Sequence, residues 1–203
     1  MATRRTTTRT RLFEAGTRAF TEIGHDRVNL VRDILEPSRV GPGSFYRQFS
    51  DKTDLLDAII NEVAVRRMAY VLDVRGVDAA ELVHESFGRF LDSIDIADHA
   101  WDLHFRESGS TNPRIIARVR SGRAAWVERI AGLMEERAGL DHDLACRLGQ
   151  WMVLVAAGVV ETWFELPEAD REARRDVFRA DVLAGVDAGA QALLAADRSR
   201  ATE

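Results

Sequence analysis

The chain has few of the residues that staple or interrupt a fold: its 203 residues include one cysteine and four prolines. With only Cys146, an internal disulfide framework is excluded, and the usage fits a reducing compartment, so a cytoplasmic address is expected. Sustained alternation of apolar and polar residues is missing, as are Asn-Gly and Asp-Gly turns, which removes the signals of strands and hairpins. The basic N-terminus "MATRRTTTRTRLFEAG" is not followed by the apolar run of a secretory signal, so no export is expected. The longest apolar run, "WMVLVAAGVV" from Trp151 to Val160, is about half of the roughly 20 residues that span a bilayer, and reads as a buried helix with no membrane partner.

Catalytic patterns are absent too. His99 and His104 stand five apart and His84 and His142 are isolated, so no pair has the geometry of an H-E-x-x-H zinc helix. There is no G-x-S-x-G, P-loop or G-x-G-x-x-G, and the Gly41-Pro42-Gly43 step lacks the preceding strand of a nucleotide loop. Neither an enzyme, a metal centre nor a cofactor is expected.

Charge is present but unevenly placed. The formal net charge is −5, made of +4 over residues 1–53 and −9 over the remaining 150. A basic head on an acidic body predicts that only the head meets a polyanion.

Every informative segment repeats with helical spacing, which predicts an all-α fold. Leu12, Ala15, Ala19, Phe20 and Ile23 share one face of a first helix, stopped by Gly24. Asn29 caps a second, about two turns long, with Val31, Ile34 and Leu35, after which Pro37 forbids a further ordinary turn. A long helix follows from Asp51, through Leu55, Leu56, Ile59, Ile60, Val63 and Met68, to near Gly76. Asp78 to Glu81 resembles a capping box. "WDLHFRES" reads as a short helix, Asn112-Pro113 opens a helix to about Gly139, and Asp141 or Asp143 opens the next, which stops before Pro167. The last helix is expected over residues 168–196, with 197–203 a frayed tail.

Between the second and the long helix lies "SRVGPGSFYRQFSDK", Ser38 to Lys52. Two short helices joined by a tight turn and followed by a long helix make a helix-turn-helix, whose second helix fits the major groove of double-stranded DNA. Gly41, Pro42, Gly43 and Ser44 would form its first turn, where helix N–H groups favour phosphate. Tyr46, Arg47, Gln48 and Lys52 add hydroxyl, guanidinium, amide and ammonium donors, while Phe45 and Phe49 face inward.

In the order of these residues the chain resembles the tetracycline-repressor-like (TetR) family of transcriptional regulators. That family's head carries Phe and Gly near the end of helix one, a V-R-D-I-type second helix, and a G-[ST]-[LF]-Y-x-x-F recognition helix leading to Lys. Here stand Phe20, Gly24, Val31-Arg32-Asp33-Ile34, Val40, Gly43-Ser44-Phe45-Tyr46, Phe49 and Lys52. The match covers about the first quarter of the chain. It departs at Arg39, where the family usually has the turn glycine, at Pro37, and at Gly41-Pro42. The resemblance implies a helix-turn-helix DNA-binding domain over residues 1–53 and a helical ligand-binding and dimerisation domain over 54–196. Carried over by position, Tyr46 and Lys52 would meet phosphate, Arg32, Ser44 and Gln48 bases, and Arg47 either, with Pro42 and Gly43 also facing DNA. It further implies a homodimer, acting as repressor or activator, released from its operator by a small molecule.

The body adds all four tryptophans. Aromatics at helical spacing are ordinarily core, but large rings with a few polar groups also line apolar ligand pockets. Trp101, His104, Phe105, Trp126 and Trp151 are the candidate lining for a small hydrophobic ligand. Trp151, Val155, Val159, Phe178, Val182 and Val186, on the last two helices, are the candidate dimer interface. The competing reading is a helical small-molecule-binding or interaction protein that no longer reads DNA.

Overall fold

The computed structural model describes residues 7–94 and 112–200, and among these there is helix and no strand. The chain divides into two compact units. Of the described residues, a head unit holds those up to 64 together with 112–119, and a body unit holds 65–94 and 120–200.

In the head unit, α1 (Thr8–Ile23) begins where the Thr7 hydroxyl accepts from the N–H of Thr10, and ends at Gly24, whose φ of 83° is open to glycine. Leu12, Ala15, Ala19 and Phe20 on its inner face are buried. The face lies close to the long helix α4 (Lys52–Val71): a Cβ on Gly16 would stand 2.9 Å from Ile59 Cδ1 and 3.0 Å from Leu55 Cδ2. A short 3-10 turn, His25–Arg27, leads to α2.

Helix α2 is π-helical over Leu30–Leu35 and α-helical over Glu36–Ser38. Asn29 caps it, its Oδ1 accepting from the N–H groups of Val31 (3.1 Å) and Arg32 (3.0 Å). The helix ends at Ser38, one residue past Pro37, so no further turn follows the proline, as the sequence reading expected. The N–H of Glu36 bonds the carbonyl of Val31 and that of Val40 the carbonyl of Leu35, five residues back. The wider turn relieves the clash that a proline ring makes with the carbonyl four residues before it. Val31 also differs from expectation, being 50% exposed while Ile34 and Leu35 are buried. Arg39 closes α2 in the left-handed conformation (φ 54°, ψ 41°), a strained place for a residue with a Cβ.

Helix α3 (Pro42–Tyr46) has Gly41 as N-cap and proline in its first turn. Phe45 and Phe49 are buried with ring centroids 5.7 Å apart, seating α3 on the head core of Leu12, Phe20, Ile34, Leu55, Leu56 and Ile59. The Asp51 carboxylate accepts from the N–H of Asp54 at 2.8 Å and caps α4.

Helix α4 stops at Val71, short of Gly76, because the backbone turns away to other partners. The Glu85 carboxylate accepts from the N–H groups of Arg75 (2.7 Å) and Gly76 (3.2 Å), and Arg89 donates to the Tyr70 carbonyl. In the body unit, α5 (Ala79–Ser93) opens with the Asp78 carboxylate accepting from the N–H of Glu81. Helices α6 (Pro113–Ala138), α7 (His142–Glu165) and α8 (Glu168–Arg200) follow, with Asn112 accepting from the N–H of Arg114 and Asp141 capping α7. Helix α8 continues through residues 197–200, where a frayed tail was expected, and Arg147 ion-pairs with Asp197 in that last turn.

Helix α7 is long and apolar enough, by length and composition alone, to cross a membrane. Leu144, Ala145, Leu148, Met152, Val160 and Trp163 place one side of it in the body core, yet Leu154 on another side is 71% exposed. One side of the helix is thus buried in its own unit and another is left exposed.

Candidate nucleic-acid interface

The surface that α2 and α3 present follows from the two buried phenylalanines. With Phe45 and Phe49 turned inward, Pro42, Gly43, Tyr46, Arg47 and Gln48 are left exposed and Ser44 half-buried. Tyr46 is 59% exposed and braced edge-on by Phe45, with centroids 5.2 Å apart. Arg47 donates to Ser44 Oγ at 3.0 Å, so guanidinium and hydroxyl are held together. Hydroxyl, guanidinium and amide thus share one short exposed element, the donor and acceptor set that reads base edges and phosphates.

Arg32 lies on α2 and is exposed, but its Nε and a terminal nitrogen donate to Asp33 at 2.7 and 3.1 Å. Asp33 also accepts from the Asn29 N–H at 2.7 Å. The Arg32 hydrogen bond and the Asn29 N–H hold the Asp33 carboxyl below its ordinary range, so it remains the partner of Arg32 in water. For Arg32 to read a base it must leave this pair.

Lys52 corrects the sequence reading more sharply. It is the chain's single lysine, and its ammonium donates to the carbonyls of His25 (2.7 Å), Asp26 (3.2 Å) and Val28 (2.8 Å). With three donors and three carbonyls, the ammonium ties the turn after α1 to the start of α4 instead of standing free for phosphate. Beside it, buried His25 meets Thr53 Oγ1 through Nε2 at 2.9 Å.

Two further cations lie in the head unit, Arg9 from the basic N-terminal stretch and Arg114, which the sequence reading did not place there. Arg9, in the first turn of α1, lies 4.6 Å from the Phe13 ring centre and 5.4 Å from that of Phe49, a cation fixed by aromatic faces beside the α3 seat. Arg114 pairs with Asp51 at 2.9 Å and so reaches the cap of α4 from α6. Arg9 and Phe13 are an i, i+4 pair on α1, whereas the contacts of Arg9 with Phe49 and of Arg114 with Asp51 join residues tens of positions apart and have no local sequence signature.

The candidate pocket of the body falls largely outside the described residues. Trp101, His104 and Phe105 lie outside the described residues, and Trp126 is half-buried. Trp151 is half-buried and packs against Phe87, centroids 6.5 Å apart, and over Gly189, whose missing side chain makes room for the ring. Of the candidate dimer residues, Val186 is 2% exposed within one chain and is core, and Phe178 stacks on Trp163 at 4.8 Å. Val155, Val159 and Val182 are half-buried, and the exposed apolar positions on these helices are Leu154 and Val177.

Comparison with known proteins agrees with this geometry. Residues 12–59 match the family described as bacterial regulatory proteins, tetR family. The HTH-type transcriptional regulator UidR of Escherichia coli K12 is 25% identical over 145 residues, covering 67% of this chain and 69% of its own length. Among solved structures, Salmonella enterica GusR superposes with a TM-score of 0.67 at 20% identity, over 88% of this chain and 93% of that one. FadR from Bacillus subtilis, in complex with stearoyl-CoA, superposes with a TM-score of 0.69 at 18% identity, over 88% and 97%.

Proposed function

Because the chain belongs to the tetR family of bacterial regulatory proteins and is a DNA-binding transcriptional regulator, we propose that it is a repressor released from its operator by a small hydrophobic molecule. The observation that carries the DNA half is the exposed set Ser44, Tyr46, Arg47 and Gln48, standing on the buried pair Phe45 and Phe49. In this reading residues 1–53 are the DNA-binding domain, α3 enters the major groove, Gln48 and Ser44 read bases, and Tyr46 and Arg47 hold phosphate. The protein works in the cytoplasm as a homodimer, with half-sites about 34 to 36 Å apart on successive major grooves.

The ligand half is supported by the helical body and by the fold shared with FadR from Bacillus subtilis, whose structure holds stearoyl-CoA. A ligand shifts the equilibrium only by preferring one conformation of the body, and α4, which begins at the DNA-reading end, is a continuous element through which the preference is transmitted in this reading.

A mobility shift on the DNA upstream of the protein's own gene, titrated with salt, tests the first half: phosphate contacts make affinity fall steeply as salt rises. Gln48→Ala should change base preference at one half-site position by about 1 to 3 kcal/mol. Equal loss on every sequence would remove Gln48 as a reader.

A further inference from the structure

The body unit contains a cleft of about 330 Å³ among α5, α7 and α8. Its apolar lining is Leu91, Ile94, Trp163 and Phe178. The volume is at the small end of ligand pockets, too little for a long acyl chain and sufficient for a molecule of about ten non-hydrogen atoms.

Two features of the lining select a chemistry. Trp163 is 3% exposed, and its Nε1 is buried with no hydrogen-bond partner. An indole nitrogen only donates, and leaving a buried donor unsatisfied is costly, so the wall asks for an acceptor. The charges, by contrast, balance. Arg179 pairs with Asp92 and donates to the Gly88 carbonyl, and the remaining pair, Arg175 and Asp176, carries one charge of each sign at the exposed edge. A carboxylate or an amine entering the cleft would lose water without a net opposite charge to receive it.

We propose that this cleft binds a small uncharged molecule with an apolar body and one carbonyl-type oxygen, which accepts from Trp163 Nε1. The site rests on the reading of the body unit as the ligand-binding part of the regulator. Because Nε1 is itself closed off, admitting the oxygen requires a lining side chain to shift, and the Phe178 ring, centred 4.8 Å from the Trp163 ring, is the neighbour assigned that movement in this proposal.

The test uses the full-length protein labelled with 15N at its tryptophans, so that each indole N–H gives its own resonance and Trp163→Phe identifies one of them. Acetophenone is the probe, ethylbenzene its counterpart without the oxygen, and benzoate its anionic counterpart. Acetophenone should move the Trp163 indole resonance downfield and bind about five- to tenfold more tightly than ethylbenzene, the worth of one net hydrogen bond. Trp163→Phe should abolish that preference while ethylbenzene binding persists. Equal affinity for ketone and hydrocarbon in the wild-type protein, an unmoved Trp163 resonance at saturation, or tighter binding of benzoate would each overturn the proposal. Operator binding is measured separately by mobility shift. Loss of the ketone site would leave DNA recognition standing, and a failure to bind DNA would leave the Trp163 shift to be observed.

Discussion

Lys52 shows how one residue's role changes between chain and fold. Its three carbonyl partners are on the turn between α1 and α2, so replacing it should loosen that turn before it affects any phosphate. Lys52→Met is expected to cost about 1.5 to 3 kcal/mol of stability, the range for hydrogen bonds with a charged partner, read as a fall in the thermal midpoint. DNA affinity should fall with it while the salt slope stays unchanged; a phosphate contact would instead lower the slope by about one. Asp57 offers a second prediction at this scale. Burial pushes its carboxyl pKa up, against the pull of Arg118 and Arg114, and its Oδ1 is buried without a partner. A carboxyl whose pKa is raised in the folded state destabilises that state above the raised value and ceases to do so below the unfolded value. Asp57→Asn should therefore raise the thermal midpoint modestly at pH 7 to 8, with the gain shrinking as pH falls into the carboxylate range, measured by circular dichroism melts across pH.

At the scale of elements, α7 and α8 meet through a deliberate omission. Trp151 on α7 occupies the space that a side chain at Gly189 on α8 would need. Gly189→Ala places a methyl group into that ring, and overpacking of this kind costs about 1 to 3 kcal/mol. Denaturant unfolding should show a lower midpoint with an unchanged slope, whereas Gly185→Ala, with open space around it, should raise the midpoint through better helix propensity. Helix α2 makes the same point about local rules. Pro37 reads as a stop and the helix does end at Ser38, but the turn ahead of the proline is π-helical and the left-handed turn that follows is made by Arg39.

For the whole molecule, the expected outcome is a dimer that uses the face of α7 carrying Leu154, together with α8. Leu154 is 71% exposed and Gly158, one turn on, is exposed with no side chain to keep another helix away. Leu154→Glu should convert the protein from dimer to monomer in light scattering at micromolar concentration and weaken operator binding with it, because two half-sites are then held by separate molecules. Val186→Glu should instead unfold the body, since that side chain is core. A monomeric wild-type protein would remove both the interface and the half-site spacing.

Sequence alone determined the local and repetitive features of this protein. Helical spacing, the Gly24 stop, the caps at Asn29, Asp51, Asp78, Asn112 and Asp141, and the inward-facing Phe45 and Phe49 all depend on residues within one or two helical turns of each other. The exposed set on α3 was legible for the same reason, because two buried rings four apart force their neighbours outward. Tertiary structure decided whatever depends on distant partners. Lys52 was free to reach phosphate until the turn after α1 brought three carbonyls to it. Val186 fitted an outer face by periodicity, yet packing turned it inward, while Phe178 is half-buried against Trp163 and Leu154 is left outside. A period of 3.6 residues tells which side chains share a face; only the folded chain tells what that face meets.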